Sequence, residues 1–229
     1  MCCKSGTVTM VGVFVRVPKA CRTLAVPFRR SWSTRDKPMP PLLTKVDVSK
    51  AARVQLRPIE MSDAQRIFEI WSDHEVMRFY DIAPLNSIDD ARLLVSAMVK
   101  ELAEGMSVRW AIVSKCSMRF IGSCGFRFDS RFYSASISFE LERHSWRQGL
   151  MREALNAAIT HAYDHWHINR IQAVTSLDNH ASIGLLRSLG FVEEGVMRQW
   201  GYWKDAFHDV HLFSRIRADQ RAMQTSPPA

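Results

Sequence analysis

Between residues 108 and 216 the chain changes the kind of hydrophobic pattern it carries, and that change restricts the fold more than any other feature. Three strand-like runs come first, Val108 to Ser114, Phe120 to Phe128 and Ser134 to Leu141, separated by short polar turns of the kind that join antiparallel neighbours. After Leu141 helical spacing takes over: Leu150, Ala154, Ala157, Ala158 and Ala162 recur on one face between Gly149 and His165. Arg170 to Leu177 then reads as a strand, and Asn179 to Leu189 as a helix closed by Gly190. A strand–helix–strand crossover joins parallel strands, whereas the first three runs pair antiparallel, so one sheet holds both kinds of pairing.

The flanking segments extend the same scheme. Val54 to Arg57 reads as a strand broken by Pro58, and Ser62 is placed to cap a helix containing Ile67, Phe68, Ile70 and Trp71. Ser87 caps a second helix, with Leu93, Leu94, Met98 and Leu102 expected on its buried face and Gly105 at its end. A last pair of strands is expected at about Phe191 to Trp200 and Phe207 to Ile216. The order predicts an α/β fold of mixed α+β type, a central mixed sheet of about seven strands flanked by about four helices. The domain is expected over residues 51–218, with an extension over 1–50, a tail over 219–229 and no internal repeat.

Charge is divided along the same boundary. Residues 1–50 hold ten Lys and Arg against Asp36 and Asp47, so they account for the whole formal charge of +8. The remainder is balanced and lacks the excess positive charge that steers polyanions, so no nucleic-acid binding by the domain is expected. The basic segment has no acid before Asp36 and ends in Pro38, Pro40 and Pro41, which reads as a disordered extension. An organelle-targeting presequence, a docking arm and an over-long start are the alternatives. Its apolar run from Val8 to Val15 is far below the ~20 residues of a membrane span. Five cysteines, an odd number without a CxxC pair, suit a reducing compartment, and a cytoplasmic location is expected.

The stretch from Phe139 to Ala154 carries the chemistry. A strand runs into a turn and then into a helix, whose first backbone N–H groups have no partner inside the helix. Such a terminus binds anions, and Gly149, lacking a Cβ, lets a ligand approach the backbone. One strand later Asn179-His180-Ala181-Ser182 opens another helix, where Asn179 is a good cap and Gly190 a good terminator. His161, His165 and His167 have zinc-compatible spacing, but no cysteine lies nearby and a surface helix accounts for them, so no metal is expected. Trp200, Tyr202 and Trp203 suit either hairpin packing or a peptide-binding or dimer surface.

Taken in order, Leu56-Arg57-Pro58, Trp146-Arg147-Gln148-Gly149, Ile168-Asn169-Arg170-Ile171, Asn179, Ser182, Gly190-Phe191 and Glu194-Gly195 resemble the GNAT N-acetyltransferases, in particular the RimJ/RimL type. The resemblance spans about residues 54 to 217 and implies acetyl-CoA as co-substrate and a primary amine as acceptor, a protein N-terminus or a small amine. It implies that Gln148, Gly149, Leu150, Met151 and Arg152 hold the pyrophosphate and that Asn179 reaches the coenzyme A arm. It also implies that an amide near Leu141 faces the thioester oxygen, in a gap between the Ser134 to Leu141 and Arg170 to Leu177 strands. Ser182 is the candidate proton donor to the thiolate, because Leu186 stands where many relatives have a tyrosine. The base position of RimL-like relatives appears here as Gly201, which leaves Glu140 or an ordered water as the base, with an ion-pair role for Glu140 equally open. Arg147 replaces the first glycine of the common loop form, and either contacts phosphate or points to solvent. A non-catalytic coenzyme A-binding module is the rival class, and monomer and homodimer both stay open.

Overall fold

The computed structural model describes residues 51–166 and 168–220; the basic segment 1–50, His167 and residues 221–229 lie outside the described residues. Seven strands form one sheet: β1 Val54–Pro58, β2 Ser107–Ser114, β3 Phe120–Asp129, β4 Ser134–Leu141, β5 Arg170–Ser176, β6 Val192–Trp203 and β7 Ala206–Ile216. Their spatial order is β1-β2-β3-β4-β5-β7-β6. β4 and β5 run parallel and every other neighbouring pair runs antiparallel. Among the described residues four helices of eight residues or more cover the sheet: α1 Ala64–Trp71, α2 Ile88–Ala103, α3 Leu150–His165 and α4 His180–Ser188.

Alternation along each strand sends side chains to two faces, and each face has its own apolar cluster. On one, Ile67, Ile70 and Trp71 of α1 and Leu94, Val95 and Met98 of α2 pack on Ala111, Val113 and Phe120. On the other, Ala154, Leu155, Ala158 and Ala162 of α3 and Ile183 and Leu186 of α4 pack on Trp110, Phe126, Ile137 and Phe213. The alanines of α3 let that helix lie close to the sheet, while Trp110 and Trp166 stack with their planes 3° apart and centroids 5.8 Å apart. His161 belongs to this buried layer, its ring against Trp110 and stacked on His165, and not to a surface as expected. Among the described residues no helix is long and apolar enough to cross a membrane.

Three local expectations are corrected. Leu93 is 68% exposed, because the buried stripe of α2 runs through Ala91, Leu94, Val95 and Met98, the i, i+3, i+4, i+7 set that excludes position 93. Ser62 does not cap α1. The Arg57 guanidinium grips the Asp63 carboxylate at 2.6 and 2.7 Å, Asp63 also accepts the Glu60 N–H at 2.9 Å, and a short 3-10 turn, Met61–Asp63, leads into the helix. The last hairpin turns at Lys204 and Asp205, both with positive φ (49° and 61°), the two-residue geometry that matches strand twist, so β6 runs three residues past Trp200.

Candidate active site

The feature that shapes the site is a failure of pairing. β4 and β5 pair only at Ser134↔Arg170, Ala135↔Ile171 and Ser136↔Gln172. Beyond that rung β4 stays bonded to β3 as far as Leu141, and β5 stays bonded to β7 as far as Ser176, so residues 137–141 and 173–176 part from each other. Glu142 N donates to Ile121 O at 2.8 Å, which fixes the ladder: even-numbered positions of β4 turn their amides to β3 and odd-numbered ones turn theirs to the gap. The backbone groups of Ile137, Phe139 and Leu141 therefore line its edge. The Leu141 carbonyl accepts the Trp146 indole N–H at 2.8 Å and the Phe139 carbonyl lies 3.1 Å from the Tyr80 hydroxyl, which leaves the N–H groups as the ligand-facing donors.

Both helices that follow the parted strands begin at the open end of the gap. α2 and α4 have side-chain caps, Ser87 accepting from Asp90 N and Asn179 accepting from Ser182 N at 3.1 Å, whereas α3 starts at Gly149 (φ 73°) with none. The N–H groups of Leu150, Met151 and Arg152 thus stay available for an anion. Arg147 also takes positive φ (58°), and its side chain is exposed, without a partner among the described residues. Gln148 knits the turn instead of opening it: its side-chain amide donates to His144 O at 2.7 Å, and its carbonyl accepts from Arg53 Nη1 at 2.9 Å. Glu153 braces the first turn of α3, accepting from the backbone N and Nε of Arg53 at 2.6 and 2.9 Å. Burial alone would raise its carboxyl, but the Arg53 donors outweigh that and hold it below the ordinary value. A hollow of about 330 Å³ lies beside this turn, lined by Arg53, Gly149, Arg152, Glu153, Ser188 and others. A larger one, about 480 Å³, lies at the paired end of β4 and β5 around Phe132, Tyr133 and Arg217, away from the gap.

Asn179 and Ser182 come together as a cap, with Ser182 half-buried and its hydroxyl uncommitted among the described residues. Glu140 stands elsewhere, on the α1/α2 face, and is fully engaged. Ser123 donates to Oε1, Arg109 Nη2 and the Tyr80 hydroxyl (2.7 Å) donate to Oε2, and Arg109 also reaches Ser123 Oγ at 2.7 Å and Ser138 Oγ at 2.9 Å. Burial works most strongly, to lower the Arg109 pKa, but the Glu140 charge together with Tyr80 and Cys124 outweighs it and raises it. Burial, aided by the Glu140 carboxylate, pushes the Tyr80 phenol well above its usual range. Tyr80 and Arg109 were not singled out by the sequence: Tyr80 sits in an irregular connection and Arg109 inside an otherwise apolar strand. The charged residue in that strand was the available signal, since a buried arginine requires an acid nearby.

Gly201 has a packing reason. A Cβ there would lie 2.6 Å from the Trp203 ring, and that ring stacks on His208 at 4.2 Å, so any larger residue would displace the hairpin's aromatic layer.

A mixed sheet whose parallel pair parts towards two helix N-termini, one of them uncapped, defines the GNAT class of acyltransferases. Residues 53–192 match the family model described as an acetyltransferase (GNAT) domain. An uncharacterized N-acetyltransferase p20 of Bacillus licheniformis is 34% identical over 169 residues, covering 73% of this chain and 94% of its own length. The ribosomal-protein-serine acetyltransferase of Escherichia coli is 28% identical over 133 residues, covering 58% and 73%. Among solved structures, RimL, a ribosomal L7/L12 alpha-N-protein acetyltransferase in complex with coenzyme A, superposes with a TM-score of 0.68 at 24% identity, covering 75% of this chain and 97% of that one. The chain belongs to the GNAT acetyltransferase family and is an N-acetyltransferase that uses acetyl-CoA as co-substrate.

Proposed function

We propose that this enzyme acetylates the α-amino group of a protein N-terminus. The observation that carries the transfer reading is the parted β4 edge leading into the uncapped start of α3. An extended pantetheine arm would pair with the free amides of residues 137–141, and the diphosphate would lie on the N–H groups of residues 150–152. The acceptor class is supported by the likeness to the E. coli ribosomal-protein-serine enzyme and to RimL. The two cysteines among the described residues, exposed Cys116 and buried Cys124, are free and fit a reducing compartment such as the cytoplasm.

In this reading the amine nitrogen attacks the thioester carbonyl carbon, and negative charge gathers on its oxygen, where the Leu141 N–H donates. The C–S bond breaks, and the departing thiolate takes a proton from the Ser182 hydroxyl. The amine attacks as its neutral fraction, present because an α-amino group has a pKa near ~8, and the proton it sheds after attack passes through water to Ser182 and restores the hydroxyl. Asn179, whose Oδ1 is spent on Ser182 N, offers its side-chain N–H₂ to the coenzyme A arm. Glu140 acts by position: its oxygens are taken by Ser123, Arg109 and Tyr80, so it fixes Tyr80 against the gap and does not serve as the base.

The test is incubation with acetyl-CoA and a panel of N-terminal peptides and small amines, reading free thiol and acceptor mass. Acetylated peptide with matching thiol release is expected. Preferential acetylation of polyamines or amino acids would replace the acceptor class, and coenzyme A binding without thiol release would point to a non-catalytic module.

A further inference from the structure

The turn that opens α3 carries an acid of its own. Glu153 stands in the first turn of the helix, one residue past the free N–H groups of Leu150, Met151 and Arg152. An anionic side chain there stabilises a helix N-terminus, and for the same reason it competes with an anionic ligand for that positive end. The Glu153 side chain keeps 16% of its accessibility, so water and salt screen it little. A diphosphate settling on the turn meets a like charge unless the protein cancels it.

Arg53 cancels it. This residue lies immediately before β1, 100 positions away in the chain, and its backbone is fixed from two sides. Its N–H donates to Glu153 Oε1 at 2.6 Å, and its carbonyl accepts the Lys115 N–H at 2.9 Å. The side chain acts as a fork: Nε donates to Glu153 Oε2 at 2.9 Å and Nη1 to Gln148 O at 2.9 Å, so one guanidinium holds both the acid and the backbone of the turn. Nη2 lies 3.5 Å from where a Cβ on Gly149 would stand, which sets the cation against the glycine that opens the helix. Among the described residues Glu153 forms an ion pair with Arg53 and with no other cation. The hollow of about 330 Å³ beside the turn has Arg53, Gly149, Arg152 and Glu153 in its wall. Resting on the reading that lays the diphosphate on residues 150–152, we infer that Arg53 is a positioning residue for coenzyme A: it takes the Glu153 charge out of the site and holds Gln148 and Gly149 in the turn that presents the α3 amides. The loop between β4 and α3 is then incomplete without a residue from the start of the first strand.

The experiment measures coenzyme A affinity by calorimetry, with kcat and both KM values, for Arg53→Ala and for Arg53→Ala/Glu153→Gln at a temperature where each is folded. Arg53→Ala should weaken coenzyme A about ten- to hundred-fold, as loss of charge-assisted contacts implies, with the acceptor KM and the kcat at saturating acetyl-CoA within about twofold of the parent. Adding Glu153→Gln should restore about tenfold of that loss, because the uncancelled charge goes with it. Dephospho-coenzyme A, which keeps the diphosphate and lacks the 3′-phosphate, should weaken as much as coenzyme A does. Unchanged affinity in Arg53→Ala overturns the inference. A double variant no better than Arg53→Ala means a purely structural clasp and overturns it, and so does a loss confined to coenzyme A, which moves Arg53 to the 3′-phosphate. Gly149→Ala separates the inference from the reading beneath it, since a Cβ there crowds the amides whatever Arg53 does. If Gly149→Ala weakens coenzyme A and Arg53→Ala does not, this inference alone falls. If neither weakens it, the diphosphate does not lie on this turn and both fall.

Discussion

Replacing Glu140 by Gln separates a positioning carboxylate from a catalytic base. The side chains of Arg109 and Glu140 keep 10% and 3% of their accessibility, so the pair is shielded from solvent screening. Taking the charge from Glu140 leaves the Arg109 cation buried beside Trp71 with only neutral acceptors, two serine hydroxyls and the new amide oxygen. Breaking one side of such a pair costs about 3–5 kcal/mol. For a domain of this size each kcal/mol lowers the melting temperature by about 2–4 °C, so Glu140→Gln should melt roughly 6–20 °C lower. The double variant Arg109→Met/Glu140→Leu, which removes both charges together, should recover most of that loss. Circular dichroism melting supplies the first reading and thiol release at a temperature where each variant is folded supplies the second. Turnover within about tenfold of the parent is expected for folded Glu140→Gln, because proton abstraction by a side chain contributes about 10²–10⁴-fold and its absence would cost that much. A variant that melts like the parent and loses turnover a thousandfold would refute the positioning role and make Glu140 the base.

Two further outcomes follow from the gap and its helices. Ser182→Ala should slow thiol release by about 10²-fold while coenzyme A affinity stays level, since the cap uses the Ser182 N–H and not its hydroxyl; full turnover would remove Ser182 from the chemistry. Because the Glu153 carboxyl is held below its unfolded value, the stability it contributes is complete above that unfolded value and is lost as pH falls towards the depressed one. Glu153→Gln should accordingly destabilise the domain at neutral pH and shrink the difference from the parent in acid, read by urea unfolding across pH.

The local parts of the site were legible in the sequence. The strand–turn–helix around Gly149, the capped helix at Asn179 and the strand at Ser134 to Leu141 all stand where periodicity and end signals put them. Errors arose where a distant residue overrode a local preference. Ser62 is a good cap by type, yet Asp63 wins because Arg57 holds it. The partners of Glu140 lie 17, 31 and 60 residues away in the chain, on three other segments, so no pattern near Glu140 announces them.

By itself, the sequence determined which segments are strands and helices, that parallel and antiparallel pairing share one sheet, and that a glycine opens the helix after β4. Those properties depend on backbone preferences and on apolar spacing within a few residues. Only the tertiary structure decided that β7 inserts between β5 and β6, that β4 and β5 part after Ser136, and that Glu140 is closed by an ion pair. These depend on which strand edges meet and which buried charges find partners, and both are settled by packing the whole sheet at once.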